Sequence, residues 1–445
     1  MLALALCGAL CLVGAARADH SVALAFPDEL QITVTTELWQ TSEGRAVEVD
    51  LPVTCDGRVN DALRGAMQGL LRETASHAGP EDRIDMRATY RVSGASWAGF
   101  LLIGRAVSLG ESDNRTYVTE ETIHLCYTAQ AYDLATGRAL TLADVFPPNS
   151  EAWARASALA RETLASYYAD QPRDMAALHA LCDAAALRAL SFLPCAGRLL
   201  LTLPLEPVLA GKRQLAQVSL PYPDFRGWMT EDARAQTDNG ARPIIALTFD
   251  DGPMRLSTQK LQRNLARYGA SATFFCVGKS MAMWPDLVRR SLDEGHAVGS
   301  HTMEHRYAYQ LHDNELRADR DACLALHRSL LGVEPRLFRA PGGNYQKYIK
   351  NEIGWSLIQW RTSAGDTGNN TANALAEHVT AQAKDGYIIL LHDAYMKTAK
   401  GAEKFLAEFV SRGFLFATVE ELLYLHGVTP QPNKVYQDAT GERAP

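Results

Sequence analysis

The 445-residue chain predicts an α/β domain on parallel strands, preceded by an α+β domain. Three observations carry that reading. From Pro243 onward, short β-rich runs alternate with helical segments, the rhythm of strand–helix–strand units. Before Phe225, strands and helices occur without regular alternation, which fits an α+β arrangement. The length is sufficient for two hydrophobic cores. The net charge of −7 lacks the basic surplus of a general nucleic-acid binder, so no nucleic-acid partner is expected.

Residues 1–18, "MLALALCGALCLVGAARA", are apolar and end in the small-x-small pattern Ala16-Arg17-Ala18. They read as a secretory signal peptide cut after Ala18; left uncleaved, the segment would be a membrane anchor. Leu10 before Cys11 argues against a lipid-attachment site. A secreted or extracytoplasmic, cell-surface-associated protein is therefore expected. Cys55, Cys126, Cys182, Cys195, Cys276 and Cys323 remain after cleavage. Export permits disulfides, but spacing does not set their pairing. Cys182 and Cys195 are near enough in sequence to close a small loop, while Cys276 in "ATFFCVG" reads as a buried thiol. There is no Cys-x-x-Cys pair to support a thiolate zinc site.

Residues 19–226 form the expected α+β domain. "LQITVTTELWQ", "DMRATYRVSG" and "TIHLCYTAQAYDL" have strand-like alternation or β-rich composition. "NDALRGAMQGLLRETASHA" and "EAWARASALARETLASYYAD" read as amphipathic helices. Residues 227–242 are polar and read as a linker. Residues 243–427 carry seven expected strands: "IIALTF", "ATFFCV", "HAVGS", "RLFR", "LIQW", "YIILL" and "FLFAT". With helices between them, these imply a parallel barrel or an open α/β sheet. Residues 428–445 read as a loosely ordered tail.

The reactive residues fall where strands end, which is where parallel α/β folds assemble their sites. Asp250 and Asp251 follow the first strand in "ALTFDDGP". Two adjacent carboxylates repel at a buried strand end, so a cation is expected to compensate. "SHTMEH" supplies His301 and His305, whose spacing would put both imidazoles on one face of a helical turn. "RAPGG" supplies Arg339, "SAGD" supplies Asp366 and "LLHD" supplies His392. Taken singly, each has a plainer reading: a polar helix face for the histidines, a capped turn for the aspartates, an ion pair for Arg339 and a core histidine for His392. Together they place polar groups at the ends of five strand-like runs. Asp393 is expected to point away from this set, and His296 to sit at the opposite end of the strands.

"TFDDGP", "HTMEH", "RAPGG" and "LLH" resemble the motifs of the polysaccharide deacetylase family, the NodB-homology domain of carbohydrate esterase family 4. The resemblance covers about Pro243 to His426. It implies a distorted (β/α)7-8 barrel and a divalent metal, usually zinc. Carried over by position, Asp250 resembles the catalytic base, and Asp251, His301 and His305 the metal triad. Arg339 resembles the residue that orients the base, His392 the general acid, and Asp366 the carboxylate that tunes it. The Gly342 N–H stands where the oxyanion donor is expected. The sequence departs from the family pattern at Ser363, which replaces an Asp, at Thr367, which replaces a Trp, and at Gly342, where an aromatic is common.

Upstream, "YDLATGRALTLADVF" and its surroundings resemble the RsiV-like (DUF3298/DUF4163-type) module found before some peptidoglycan deacetylases. The same module forms the extracellular part of certain anti-sigma factors. The barrel resemblance implies a metal-dependent hydrolase that removes acetate from an N-acetylated sugar, and the signal peptide with the upstream resemblance favours N-acetylglucosamine in peptidoglycan, the cell-wall glycan, as substrate and partner. The same residues leave open a deacetylase of chitooligosaccharide or another acetylated polysaccharide, or a non-catalytic wall- or lysozyme-binding sensor. The sequence leaves the oligomeric state open.

Overall fold

A computed structural model of the chain describes residues 32–111, 118–211, 214–240 and 242–439. The expected signal peptide lies outside the described residues. The upstream half is α+β, as expected. Its main sheet runs in chain order through Thr33–Gln40, Ala46–Val53, Arg83–Ser93, Trp97–Glu111, Val118–Asp133 and Arg138–Leu140. Helix Gly57–His77 crosses one face. Asp56 caps it by accepting from the Arg58 and Val59 N–H groups, and it buries Val59, Leu63, Met67, Leu70 and Leu71 at helical spacing. A second sheet pairs Leu193–Pro194, Arg198–Pro204 and Leu215–Pro221.

The downstream half is a distorted (β/α) barrel. Its parallel strands neighbour one another in the order Thr362–Ser363, Ile388–His392, Ile244–Asp250, Ala272–Cys276, Ala297–Ser300, Leu337–Phe338, Ser356–Ile358 and Val435–Tyr436. Strand Leu415–Phe416 pairs with the start of Ile244–Asp250. Ile244–Asp250 is buried along its whole length, which explains its largely apolar sequence: a parallel strand covered on both faces has no solvent side.

Strand Thr362–Ser363 was not among the expected strands, and two further segments differ from expectation. The expected tail contributes a strand, since Val435 and Tyr436 pair in parallel with Leu357 and Ile358 and are both buried. Two apolar residues among Pro, Gln and Asn give too short a pattern to read as a strand. The expected linker is packed rather than free. Helix Glu231–Gln236 follows Met229, and Met229 and Ala233 are buried with Phe225 and Trp97 in the second hydrophobic core.

The two halves share one core. Leu63, Met86 and Phe100 belong to the same buried cluster as Leu247, Leu265 and Phe409. A buried ion cluster lies between them: Asp85 meets Arg290 at 2.7 Å and Arg87 at 3.1 Å, and Arg105 meets Asp293 at 3.2 Å. Gly269, at φ +61°, lets the Tyr90 ring approach; a Cβ there would lie 2.6 Å from Tyr90 Cε2. The six described cysteines are free thiols, so Cys182 and Cys195 do not close a loop. Cys276 is buried, as its strand pattern predicts.

Candidate active site

Strand register explains how distant residues converge. Asp250 is level with His392 across one strand pair and with Phe275 across the other. On the far side of Ala272–Cys276, Ser300 pairs with Phe338, which sets His301 beside Arg339. The Arg339 N–H then donates to Ser300 O at 3.0 Å. The expected site residues therefore meet at the C-terminal ends of the strands.

Asp250 is 3% exposed. Its Oδ1 accepts from Arg339 Nη1 at 2.8 Å. The same Nη1 donates to Thr248 Oγ1 at 2.7 Å, while Nε and Nη2 donate to the carbonyls of Ile358 and Gln359, each at 3.1 Å. The guanidinium also lies over the Phe275 ring, 4.3 Å from its centroid. Burial pulls the Arg339 pKa down, and Asp250 offsets that pull. Arg339 is thus held in one orientation, with its charge directed at one carboxylate oxygen.

Asp251 Oδ1 lies 3.4 Å from His301 Nε2 and 3.2 Å from His305 Nε2. His301 Nδ1 meets Arg339 O at 2.7 Å, which fixes the ring and leaves Nε2 facing Asp251. The histidines do not share a helical turn. They lie in an irregular segment with Thr302 at φ +68° and His305 at φ +58°; Asp251 is at φ +76°. Non-glycine residues in this region store strain, a feature common at functional sites. The four-residue spacing fits this turn as well as a helix, which is why the sequence misled on the local form while still pairing the side chains.

These three side chains fit a metal ion. Their ligand atoms all lie within 4.8 Å of one another. Asp251 Oδ1 is buried with no hydrogen-bond partner among the described residues. Burial, then the neighbouring His301, lowers the pKa of His305 and so favours the neutral imidazole that a metal needs. A carboxylate with two imidazoles is a donor set suited to a borderline divalent cation.

His392 Nδ1 meets Asp366 Oδ1 at 2.8 Å, and its backbone N–H donates to Asp366 Oδ2 at 2.7 Å. Thr398 Oγ1 donates to that same Oδ2 at 2.8 Å. Burial opposes charging of His392, but the Asp366 hydrogen bond and charge, with help from Asp250 and Asp251, outweigh it and raise the pKa. Gly342 sits at φ +63° in the turn Pro341–Gly343. A Cβ there would lie 2.7 Å from Tyr307 Cε1, so Tyr307 fills the space over this loop. Thr367 is exposed and Ser363 Oγ accepts from Gly365 N–H at 3.2 Å.

Several supporting residues were not anticipated: Thr248, Thr398, Tyr307 and Tyr395, whose ring stands edge-on to His392 at 5.9 Å. Thr248 opens the "TFDDGP" motif but carries no expected role there; the other three lie outside the motifs, and only the fold brings them in. Asp393 lies beneath the turn after Asp251. It accepts from Thr258 Oγ1 at 2.6 Å, and a Cβ on Gly252 would fall 2.0 Å from Asp393 Oδ2. His296 is buried at the start of its strand, where Nδ1 accepts from Ala272 N–H at 3.2 Å. A further group, Glu73, His124 and Cys126, lies in the upstream domain. There Cys126 Sγ packs 3.1 Å from Thr74 Oγ1 and burial raises its pKa to about 11, a protonated core thiol.

Comparison with known proteins gives this site a family. The sequence profile described as "Polysaccharide deacetylase" matches residues 237–354. A peptidoglycan-N-acetylglucosamine deacetylase of Bacillus cereus is 37% identical over 193 residues, covering 41% of this chain and 90% of that protein. The chain belongs to the polysaccharide deacetylase family. Peptidoglycan-N-acetylglucosamine deacetylase PgdA of Listeria monocytogenes is 36% identical over 202 residues. That match covers 45% of this chain and 42% of the relative, so the chain spans less than half the length of that protein. Among solved structures, the peptidoglycan deacetylase PdaC from Bacillus subtilis is similar at 28% identity with a TM-score of 0.41, covering 43% of this chain and 94% of that chain.

Proposed function

We propose that the chain is a metal-dependent hydrolase that removes acetate from N-acetylglucosamine residues of peptidoglycan. The observation that carries this reading is the pairing of a fixed Asp250–Arg339 couple with an adjacent Asp251, His301, His305 donor set. Zinc is the cation we propose for that set; when bound, it polarises the acetyl carbonyl and acidifies water. Asp250 takes the proton of the attacking water, and Arg339 keeps Asp250 ionised and aimed. The Gly342 N–H donates to the oxygen on which negative charge develops. As the C–N bond breaks, His392 gives its proton to the departing amine, and Asp366 sustains the protonated form beforehand. The products are acetate and a free amino sugar.

The peptidoglycan substrate is supported by the names of the relatives from Bacillus cereus and Listeria monocytogenes. The apolar stretch 1–18 and the RsiV-like upstream motif support an extracytoplasmic, surface-associated setting. Chitooligosaccharide is the second substrate to try. The test is acetate release by residues 19–445 with zinc supplied, on insoluble peptidoglycan and chitooligomers in parallel, with Asp250→Asn as control. Release lost in the variant supports the reading. Equal release by both proteins, or none from any glycan, contradicts it.

A further inference from the structure

Apolar exposure on this chain is uneven. Of the nine large apolar side chains exposed among the described residues, five, namely Met254, Leu256, Met283, Tyr309 and Tyr395, lie in segments that follow the C-terminal ends of barrel strands. Tyr309 is the most exposed of the nine, at 74%. Its ring stacks on Tyr307, with centroids 5.5 Å apart and planes 16° from parallel. Tyr307 in turn stands edge-on to His305 at 5.7 Å. A run of rings therefore leads outward from the triad into solvent.

The run is held in place. Gln310 Oε1 accepts from the Tyr307 N–H at 3.0 Å, and the Gln310 N–H returns to Tyr307 O at 2.9 Å. Ala308 and Leu311, on either side of Tyr309, are buried with Phe338 and Tyr345. Arg306, the charged neighbour, is engaged by Glu315 at 3.4 Å. The loop thus presents a fixed, uncharged aromatic face, and leaving it in water is unfavourable unless a ligand covers it.

We propose that Tyr307 and Tyr309 form a subsite that stacks against the apolar C–H face of a neutral pyranose ring, in the same glycan strand as the acetamide being hydrolysed. The proposal rests on the deacetylase reading. A pyranose chain matches the platform in two ways: its ring faces are flat and apolar while its edges are hydroxylated, and Tyr is apolar across its face and polar at its tip. Continuity with His305 selects the glycan strand as occupant, because a polymer placed at the triad runs onto the adjoining rings.

The test is Tyr309→Ala, a change at an exposed side chain, assayed on zinc-loaded protein with chitobiose and chitotetraose. The KM for chitotetraose rises about tenfold, and the preference for the tetramer over the dimer falls towards one. Tyr309→Phe, which keeps the ring, restores both. Wild-type KM and chain-length preference in Tyr309→Ala would overturn the subsite. If the wild-type chain releases no acetate from either oligomer, the deacetylase reading fails separately and calorimetric titration with chitotetraose decides the subsite. About tenfold weaker binding by Tyr309→Ala supports it; equal binding by the two proteins, or none by the wild type, overturns it.

Discussion

Arg339 directs one nitrogen at one oxygen of Asp250, 2.8 Å away, with both side chains buried. The carbonyls of Ile358 and Gln359 and the hydroxyl of Thr248 take three further N–H groups of the guanidinium. Arg339 is therefore both a structural pin between strands and the counter-charge of the proposed base. Arg339→Met leaves Asp250 buried without its partner. It is expected to cost about 3–5 kcal/mol in stability and to lower kcat at least about a hundredfold. Denaturant titration and acetate release read the two effects separately.

The His392–Asp366 pair predicts a pH effect of definite sign. Asp366 raises the His392 pKa against the pull of burial, and in the proposed mechanism protonated His392 is the form that supplies the proton. Activity therefore falls as pH rises through that pKa. Asp366→Asn removes the support, so the alkaline limb of the kcat/KM profile moves to lower pH and kcat falls about ten- to a hundredfold. An unmoved limb would separate Asp366 from His392 function.

Metal binding should be visible as stability. A ligand that binds only the folded state at a hundred times its Kd adds about 2.7 kcal/mol. Zinc is expected to stabilise the wild-type chain by this order and to leave His305→Ala unchanged. Thermal melts with and without zinc, alongside measured metal content, check it.

Gly342 is predicted to be intolerant of a side chain. Its φ of +63° and the 2.7 Å approach of Tyr307 both oppose a Cβ. Gly342→Ala is expected to cost about 1–3 kcal/mol and to reduce turnover while zinc content is retained.

The ion cluster between the halves predicts joint unfolding. Asp85 is buried among Arg290, Arg87 and Arg105; burial pushes its carboxyl up, but these arginines hold its pKa well below the usual range. A lowered folded pKa gives stability that is present above the unfolded carboxylate pKa and lost as pH falls through the folded one. Asp85→Asn is expected to destabilise the whole chain by about 3–5 kcal/mol and to flatten the acid side of its stability curve. A single calorimetric transition for both halves, shifted as a unit, is the expected observation.

The sequence was most legible where chemistry and strand ends coincide. Asp250, Arg339 and His392 each follow an apolar run, and a parallel fold leaves such positions at one end of the sheet. It was least legible where space or long-range packing decides. Tyr307 faces Gly342 because the fold brings two loops together, and neither residue's neighbours announce it. Strands Thr362–Ser363 and Val435–Tyr436 are too short to carry a periodic signal. Asp85 and Arg87 read as ordinary polar positions in the strand-like run "DMRATYRVSG", and only docking of the second half buries them together with Arg105. The His301–His305 spacing is met by a strained turn because a short separation fixes proximity, not conformation.

The most direct single test is acetate release from insoluble peptidoglycan by zinc-loaded residues 19–445, compared with Asp250→Asn carrying the same zinc. The expected result is release by the wild-type chain and a loss of at least about a hundredfold in the variant, with metal content equal in both. Undiminished release by Asp250→Asn would contradict the role given to Asp250, and absence of release by the wild-type chain would contradict peptidoglycan as substrate.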